Sequence, residues 1–304
     1  MNAHARAYLA LIAAALFWAG NYVFGKVAVA GMSPFSIVFL RWTIALVPLV
    51  AIAKVVEHPD WMAVLHHWRF LLMQGLLGLF AYNFLLYAAL RTSSAFAASL
   101  INAANPALIA LTALIVLHER VGWRGGVGIA LALLGVLVVL THGDLAHLLT
   151  TPFSAADLLM LGVIVVWTAY TIAARKGPRL PPITQVAIQT ALIVAGLTFV
   201  APLAGVALPD STPAWWSLAF IAIFPSGGSY VLWNRALSVV SSGRAGVFLN
   251  LITLFTALGA LATGTPITIA QIAGGLIIIG GVLLTTLPAR SHRGADKANT
   301  SGTS

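Results

Sequence analysis

The sequence has no cysteine and very few charged residues among its 304 residues. Without cysteine it cannot form disulfide bonds or thiolate metal sites. Only 8% of the residues are charged, whereas about a quarter are charged in a typical soluble domain. Hydrophobic residues make up 60%, more than a water-exposed surface allows. The composition therefore predicts an all-α polytopic membrane protein whose surroundings are the lipid bilayer.

Motifs that carry catalysis or hold cofactors are also missing from the sequence. It contains no glycine-rich phosphate-binding loop and no cluster of metal-ligating residues. No nucleophile and base occur in a recognisable arrangement either. The sequence therefore predicts no enzyme activity, no metal site and no cofactor.

Long apolar runs define the membrane-spanning segments, because roughly 20 apolar residues are needed to cross a bilayer as a helix. Ten segments approach this length, and we number them spans 1 to 10. They cover residues 7–29, 34–53, 70–90, 94–117, 124–141, 155–174, 183–204, 214–237, 245–263 and 268–287. Residues 291–304 are polar, which predicts a disordered cytoplasmic tail.

The basic residues lie almost entirely on one side of this arrangement. With ten spans both termini share a side, and its loops and tails hold most of the 16 Lys and Arg residues. These are Arg6, Lys54, Arg69, Arg120, Arg124, Arg175, Lys176, Arg179, Arg235, Arg244, Arg290, Arg293 and Lys297. The opposite side holds Lys26 and Arg91, and Arg41 falls within span 2. Because cytoplasmic loops are enriched in positive charge, both termini are predicted to be cytoplasmic. The net charge of +9 is then explained by topology, and no nucleic-acid partner is expected.

The two halves of the chain resemble each other. Trp18 matches Trp167, Lys26 matches Arg175, and Asn102 falls opposite Asn250. The sequence YNFLLYAAL at 82–90 is echoed by YVLWNRAL at 230–237, and two glycines seven residues apart recur. These glycines are Gly128 and Gly135 in the first half, and Gly274 and Gly281 in the second. Matches in the same order at a nearly constant offset indicate an internal repeat.

Five spans per repeat is an odd number, so the second copy must enter the membrane upside down. The sequence therefore predicts two inverted five-helix repeats, one over residues 1–148 and one over residues 149–290. In many transporters such repeats place the binding site near the middle of the membrane, where the two copies meet.

One set of motifs resembles a known family. Span 4 carries Asn102 and Asn105-Pro106, followed by His118-Glu119-Arg120 and the glycine pair of span 5, while span 1 carries WAGNYVFGK at 18–26. This pattern resembles the EamA family of the drug/metabolite transporter superfamily over nearly the whole chain. Within the family, it looks most like bacterial exporters of aromatic amino acids, which implies a ten-helix inner-membrane protein.

The second half departs from this pattern. It lacks a proline at the place of Pro106, and it has Thr265 near where the first half has Glu119. The two halves are therefore not expected to be functionally equal.

Span 1 carries one face of aromatic and polar residues. Trp18, Asn21, Tyr22 and Gly25 are spaced i, i+3, i+4 and i+7, which places them on one side of a helix. Such a face would suit the wall of a cavity that stacks on a flat solute. The alternative is an interfacial aromatic belt or simple packing.

The same face recurs in span 6. Its residues are Trp167, Tyr170, Thr171 and Ala174. If the two faces approach each other across a pseudo-two-fold axis, they would form an aromatic-walled vestibule. The other tryptophans, Trp61, Trp68, Trp123, Trp215 and Trp216, lie near span ends and are expected to be interfacial anchors.

Further polar and aromatic residues lie inside spans 3 and 8. Tyr82 and Asn83 lie in span 3, and Tyr230, Trp233 and Asn234 lie in span 8. Their polar groups need partners in lipid, so they should point inward. The partner is either a substrate or another helix, and the sequence leaves both open.

Asn102 and Asn250 are the polar centres of spans 4 and 9. An asparagine offers a donor and an acceptor and could hold either end of a zwitterion, but a hydrogen bond between helices is an equal alternative. Pro106 predicts a kink or a local ligand site. In span 8, Pro225–Gly228 predicts a break in the helix, and the paired glycines of spans 5 and 10 predict close helix packing.

Two cations lie nearest the membrane interior on the outer side. Lys26 could attract an anionic group, or its amine could snorkel toward the interface. We expect Arg41 to cap carbonyl groups of span 1. No Asp, Glu or His lies at the centre of a span, which favours facilitated diffusion over a dedicated proton relay.

These observations together predict a multi-pass secondary transporter of the bacterial inner membrane. It would export amino acids, aromatic and other neutral ones, and related metabolites by alternating access, and it would work as a monomer. A passive pore, a lipid-handling protein, or a transporter of the same family for a different small metabolite are the alternatives.

Overall fold

The apolar segments fold as helices, and no strand occurs among the residues that the structure describes. This computed structural model describes residues 3–118, 122–144, 153–240, 245 and 248–286. In chain order the main helices are α1 Ala3–Gly31, α2 Pro34–Val56, α3 Trp68–Leu90, α4 Ala95–Val116, α5 Trp123–Leu140, α6 Ala155–Lys176, α7 Pro182–Ala204, α8 Thr212–Leu237, α9 Asn250–Ala262 and α10 Ile269–Thr286. A short helix, Trp61–Leu65, precedes α3. The predicted all-α fold is confirmed.

Eight of the helices, α1 to α8, are long and apolar enough to cross a membrane. Helix α9 and the apolar part of α10, which ends at Leu284, are shorter. Ten crossings, the repeat boundaries and the cytoplasmic termini therefore stay predictions. Glu119, Arg120 and the tail at 291–304 lie outside the described residues.

The outer surface of the helices is apolar. Phe199 and Leu203 of α7 are 83% and 90% exposed, and Ile269 of α10 is 85% exposed. Large aliphatic and aromatic side chains at this exposure are unfavourable in water and favourable in lipid. The structure therefore describes a multi-pass membrane protein.

In the described part of the chain, helices α3, α4 and α8 are each irregular at one point. Helix α4 consists of Ala95–Asn102 and Asn105–Val116, because Pro106 has no N–H to donate to the carbonyl of Asn102. Helices α3 and α8 each contain a π-helical turn, at Gly75–Ala81 and Phe224–Gly228. The predicted kink of span 4 and the predicted break in span 8 both occur.

The helices of one half pack mainly against helices of the other half. Helix α5 packs against α10, and α2 packs against α7. Helix α1 packs against α8, and with the halves exchanged, α6 packs against α3. This pairing is the one that two copies related by a pseudo-two-fold axis would make.

The paired glycines lie in the contact between α5 and α10. A Cβ atom added at Gly135 would lie 2.7 Å from the carbonyl oxygen of Gly274. One added at Gly281 would lie 2.5 Å from the carbonyl oxygen of Gly128. The two backbones therefore approach as closely as the glycine spacing predicts.

A carboxylate joins α2 to α7 at one end of the bundle. Glu57, which follows α2, accepts hydrogen bonds from the backbone nitrogens of Ile183 and Thr184 at 2.8 and 2.7 Å. It also accepts one from Thr184 Oγ1 at 2.6 Å. The negative charge lies at the N-terminus of α7, where unpaired N–H groups and the helix dipole favour an anion.

Replacement of Gly281 by alanine should destabilise the protein, because the new methyl group would meet the α5 backbone. We expect a loss of about 1–3 kcal/mol, which is typical of overpacking. Gly280→Ala is the matched control, since a Cβ there meets nothing within 4 Å. Thermal unfolding of both purified variants in detergent measures the effect, and equal melting temperatures would contradict the packing described.

Candidate functional site

A buried arginine joins three helices in the interior of the bundle. Arg41 of α2 donates from Nε to Ser226 Oγ in α8 at 2.7 Å. Its Nη1 donates to Asn21 Oδ1 of α1 at 3.0 Å. The same nitrogen lies 2.6 Å from Asn83 Oδ1 and 2.6 Å from the Tyr87 hydroxyl, both in α3. We call Asn21, Arg41, Asn83, Tyr87 and Ser226 the arginine cluster.

The acceptors of the cluster are themselves fixed by further hydrogen bonds. Tyr87 donates its hydroxyl hydrogen to Asn21 Oδ1 at 2.8 Å. Asn83 donates from Nδ2 to the carbonyl of Leu79 at 2.9 Å, within the π-helical turn of α3. Ser226 donates to the carbonyl of Ile221 at 2.8 Å, beside the turn of α8. The turn of α3 thus binds the side chain of Asn83, and the turn of α8 contains Ser226, so each turn is linked to a partner of Arg41. Such turns occur frequently at functional sites.

The charge of Arg41 is not neutralised by an acidic residue in the described part of the chain. Its partners are two amides, a phenol and a serine, and none of the described Asp or Glu side chains makes an ion pair with it. Arg41 is only 4% exposed. Among the described residues, the positive charge is thus held by neutral dipoles and by the ring of Trp42, whose centroid lies 4.8 Å from the guanidinium carbon. A buried charge is expensive in a membrane, which makes Arg41 a candidate functional residue.

The structure overturns the expectation for Arg41 and shows which groups Lys26 binds. Arg41 was predicted to cap span 1 carbonyls, and this prediction is wrong, because its guanidinium binds side chains of three helices. Lys26 takes the capping role, since its Nζ donates to the carbonyls of Leu90 and Arg91 at 2.7 and 3.3 Å. It thereby gives a hydrogen-bond donor to backbone carbonyls at the C-terminus of α3, which have no partner within the helix.

Two groups of aromatic rings flank the centre of the bundle. In the first, Trp18 of α1 lies 6.1 Å from the ring of Tyr230 and 5.5 Å from that of Trp233, both in α8. In the second, Trp167 of α6 lies 4.9 Å from the ring of Tyr82 in α3, and 5.1 Å from that of Tyr170 in α6. The repeat-related tryptophans therefore each pair with a tyrosine of the opposite half, and an aromatic-walled vestibule between the faces of spans 1 and 6 stays a prediction.

A chain of hydroxyl and amide groups joins the second aromatic group to α1 and α4. The hydroxyls of Tyr22 and Tyr82 lie 3.3 Å apart. Tyr82 also donates to Asn102 Oδ1 at 3.4 Å. Asn105 donates from Nδ2 to the same oxygen at 2.7 Å, across the break in α4. Asn102 thus has its polar side chain at the helix break, as Pro106 suggested.

The arginine cluster and the aromatic groups are neighbours. Tyr82 and Tyr230 lie within electrostatic range of Arg41. The ring of Tyr170 lies against Gly78, where an added Cβ would come within 2.7 Å of it. Asn83 Nδ2 lies 3.3 Å from the carbonyl of the same Gly78. A charged group and a set of flat rings therefore share one region.

Most of the predicted site residues meet there, but Lys26, which caps α3, and Asn250 do not. Asn250 begins α9 and makes no side-chain hydrogen bond with the described residues. Asn83 belongs to the arginine cluster rather than to an aromatic group. The sequence reasoning missed Tyr87 and Ser226, and it gave Arg41 the wrong role, although a lone arginine within an apolar span was the available signal.

The apolar exterior, the exchanged helix pairs and the polar and aromatic centre define a duplicated helical membrane protein. The sequence pattern of the EamA-like transporter family matches residues 5–141 and 154–287. The chain belongs to this family, and it carries two copies of the family's unit. The resemblance read from the motifs of spans 1, 4 and 5 is confirmed.

Several relatives are similar over nearly their full length. An uncharacterised transporter, YyaM of Bacillus subtilis (strain 168), is 28% identical over 92% of this chain and 93% of its own. The aromatic amino acid exporter YddG of Ancylobacter novellus is 25% identical over 84% of this chain and 89% of its own. A probable terminal-alkyne amino-acid exporter of Streptantibioticus cattleyicolor is 26% identical over 92% and 93%. These relatives are transporters and not enzymes.

A solved crystal structure shares the fold. It superposes with a TM-score of 0.64 at 19% identity and covers 92% of this chain and 96% of its own. At this identity the likeness supports the arrangement of the helices alone.

Replacement of Tyr87 by phenylalanine should destabilise the protein. The change removes an acceptor for Arg41 and a donor for Asn21, both of which are buried. We expect a loss of about 1–3 kcal/mol, the cost of leaving buried polar groups without a partner.

Tyr8→Phe is the matched control, because the Tyr8 ring stacks on Phe248 and its hydroxyl makes no hydrogen bond with the described residues. Thermal unfolding in detergent compares the two variants. A melting temperature for Tyr87→Phe as high as that of Tyr8→Phe would show that the cluster adds nothing to stability.

Proposed function

We propose that this protein is a secondary transporter of the bacterial inner membrane that exports amino acids, aromatic and other neutral ones, and related metabolites. It works by alternating access, as a monomer, with ten membrane crossings and both termini in the cytoplasm. The observation that carries the proposal is the exchanged pairing of aromatic residues, in which Trp18 meets Tyr230 while Trp167 meets Tyr82.

This pairing supports alternating access for a geometric reason. Two equivalent contacts, one on each side of a pseudo-two-fold axis, can open in turn while the other stays closed. The rings that separate when a contact opens would then offer their faces to a flat or apolar solute. The amides and hydroxyls of Asn21, Tyr22 and Asn102 would bind its polar end, which agrees with an amphipathic amino acid as substrate.

The proposed mode of transport is facilitated diffusion down the gradient of the solute. In the described part of the chain, acidic residues lie at helix ends or in loops, and no histidine lies at the centre of a helix. A chain of such groups is what carries protons through many pumps. The amino-acid exporters among the relatives support the substrate class proposed here.

Uptake of labelled tryptophan, phenylalanine and threonine into proteoliposomes tests the proposal. We expect saturable uptake that unlabelled amino acids compete with and that an imposed pH gradient leaves unchanged. A flux that does not saturate would favour a passive pore, and scrambling of lipids by the purified protein would favour a lipid-handling role. If no amino acid is taken up, the result would indicate that the substrate is a different metabolite.

Trp18→Ala and Trp167→Ala should each raise the half-saturating concentration of tryptophan. Loss of one aromatic contact implies a change of roughly 3- to 10-fold. Trp216→Ala is the control, because Trp216 lies on the surface and is 72% exposed. Transport by both site variants at the level of the control would show that the aromatic groups do not bind substrate.

A further inference from the structure

The position of Arg41 needs an explanation beyond packing. It lies seven residues after Pro34, the first residue of α2, and it is almost fully buried. An arginine within an apolar span is costly and is usually retained for function. If its only task were to join α2 to α1, α3 and α8, an uncharged side chain would do so without burying a charge.

The partners of Arg41 hold the guanidinium in place without cancelling its charge. Asn83, Asn21, Tyr87 and Ser226 are neutral, so the cluster keeps one positive charge. This is the electrostatic state that favours the entry of one negative charge from outside the protein.

The guanidinium also keeps a free hydrogen-bonding edge. Its Nε and Nη1 bind the protein, whereas Nη2 makes no hydrogen bond with any described residue. Guanidinium nitrogens bind both oxygens of a carboxylate in a planar, two-pronged arrangement. Nη2 has two hydrogens of its own, so it can donate to a carboxylate without displacing the present partners of Nε and Nη1.

The second half of the chain carries an amide at the equivalent place. Helices α2 and α7 begin at Pro34 and Pro182 and have 23 residues each, so Gln189 takes the place of Arg41. Its side chain is buried, and neither Oε1 nor Nε2 has a hydrogen-bond partner among the described residues. The charge is therefore present in only one half, which gives a bound solute a fixed orientation.

We propose that Arg41 binds the carboxylate of the transported solute and that the protein requires a carboxylate in its substrates. The inference depends on the proposed function, because it names the residue that binds one end of the solute at the same site. The carboxylate lies at the arginine cluster, while the apolar part of the solute lies against the rings near Tyr82 and Tyr230. A single buried positive charge suits a monocarboxylate and not a polyanion.

Competition experiments with tryptophan analogues test this assignment. Proteoliposomes are loaded with unlabelled tryptophan, and counterflow of labelled tryptophan is measured with four competitors outside. Tryptophan and indole-3-propionate carry a carboxylate, whereas tryptophan amide and tryptamine do not. We expect the first two to compete roughly tenfold or more better than the other two, as loss of a charge-assisted hydrogen bond implies.

Three variants assign the selectivity to Arg41. Arg41→Gln should reduce the difference between the two classes of competitor to about twofold or less, whereas Arg41→Lys should keep part of it, because a point charge remains. Lys26→Gln is the matched control. It removes the other interior cation, which caps α3, and should leave the difference unchanged. An unchanged difference in Arg41→Gln would overturn the assignment.

The wild-type protein gives a decisive result even if Arg41→Gln does not fold. Equal competition by tryptophan and tryptophan amide would overturn the carboxylate requirement, while transport of tryptophan would still support the proposed function.

If no amino acid is transported, the proposed function fails. The inference is then tested by thermal unfolding, where indole-3-propionate should raise the melting temperature and tryptamine should not. No difference between these two ligands would overturn it.

Discussion

A polar group inside a membrane has no water to bind, and this constraint explains most of the irregular features of the structure. A buried donor or acceptor without a partner within the protein costs several kcal/mol. Asn83 binds carbonyls of a π-helical turn, Asn102 binds across a helix break, and Lys26 binds the carbonyls that end α3. At the two π-helical turns, Asn83 and Ser226 donate to backbone carbonyls in or beside the turn. Arg41 is also held by hydrogen bonds, but its partners among the described residues are neutral and do not neutralise its charge.

The same constraint shapes the way in which the two halves meet. Lipid gives helices little hydrophobic reason to associate, so close backbone contact has to hold them together. The α5–α10 pair achieves this contact through repeated glycines, because a Cβ atom added at Gly135 or at Gly274 would meet the backbone of the other helix. In the α2–α7 pair, the carboxylate of Glu57 also accepts hydrogen bonds from the N-terminus of α7. These two pairs join equivalent helices and lie where a pseudo-two-fold axis would pass, whereas α1–α8 and α3–α6 are exchanged around it.

The sequence predicted the features that are local and missed those that are not. The helical segments, the interruption at Pro106 and the glycine contact follow from apolar length, ring chemistry and spacing, all of which a short stretch contains. The arginine cluster joins positions that lie 20 to 185 residues apart along the chain, so no local pattern shows it. The aromatic faces of α1 and α6 were recognised, but their partners were not. Spacing shows which side of a helix is special and not which helix it meets.

The difference between Arg41 and Gln189 bears on how a duplicated fold can act on a solute with two unlike ends. Two identical halves would offer two identical polar sites, and an amphipathic solute could bind in either of two orientations. One arginine and one amide at equivalent places remove this ambiguity at the cost of exact symmetry. The aromatic pairs, by contrast, are kept in both halves, and they are the contacts that alternate opening would use. In the proposed mechanism, symmetry would be kept in the contacts that open in turn, and it is absent at the place that would orient the solute.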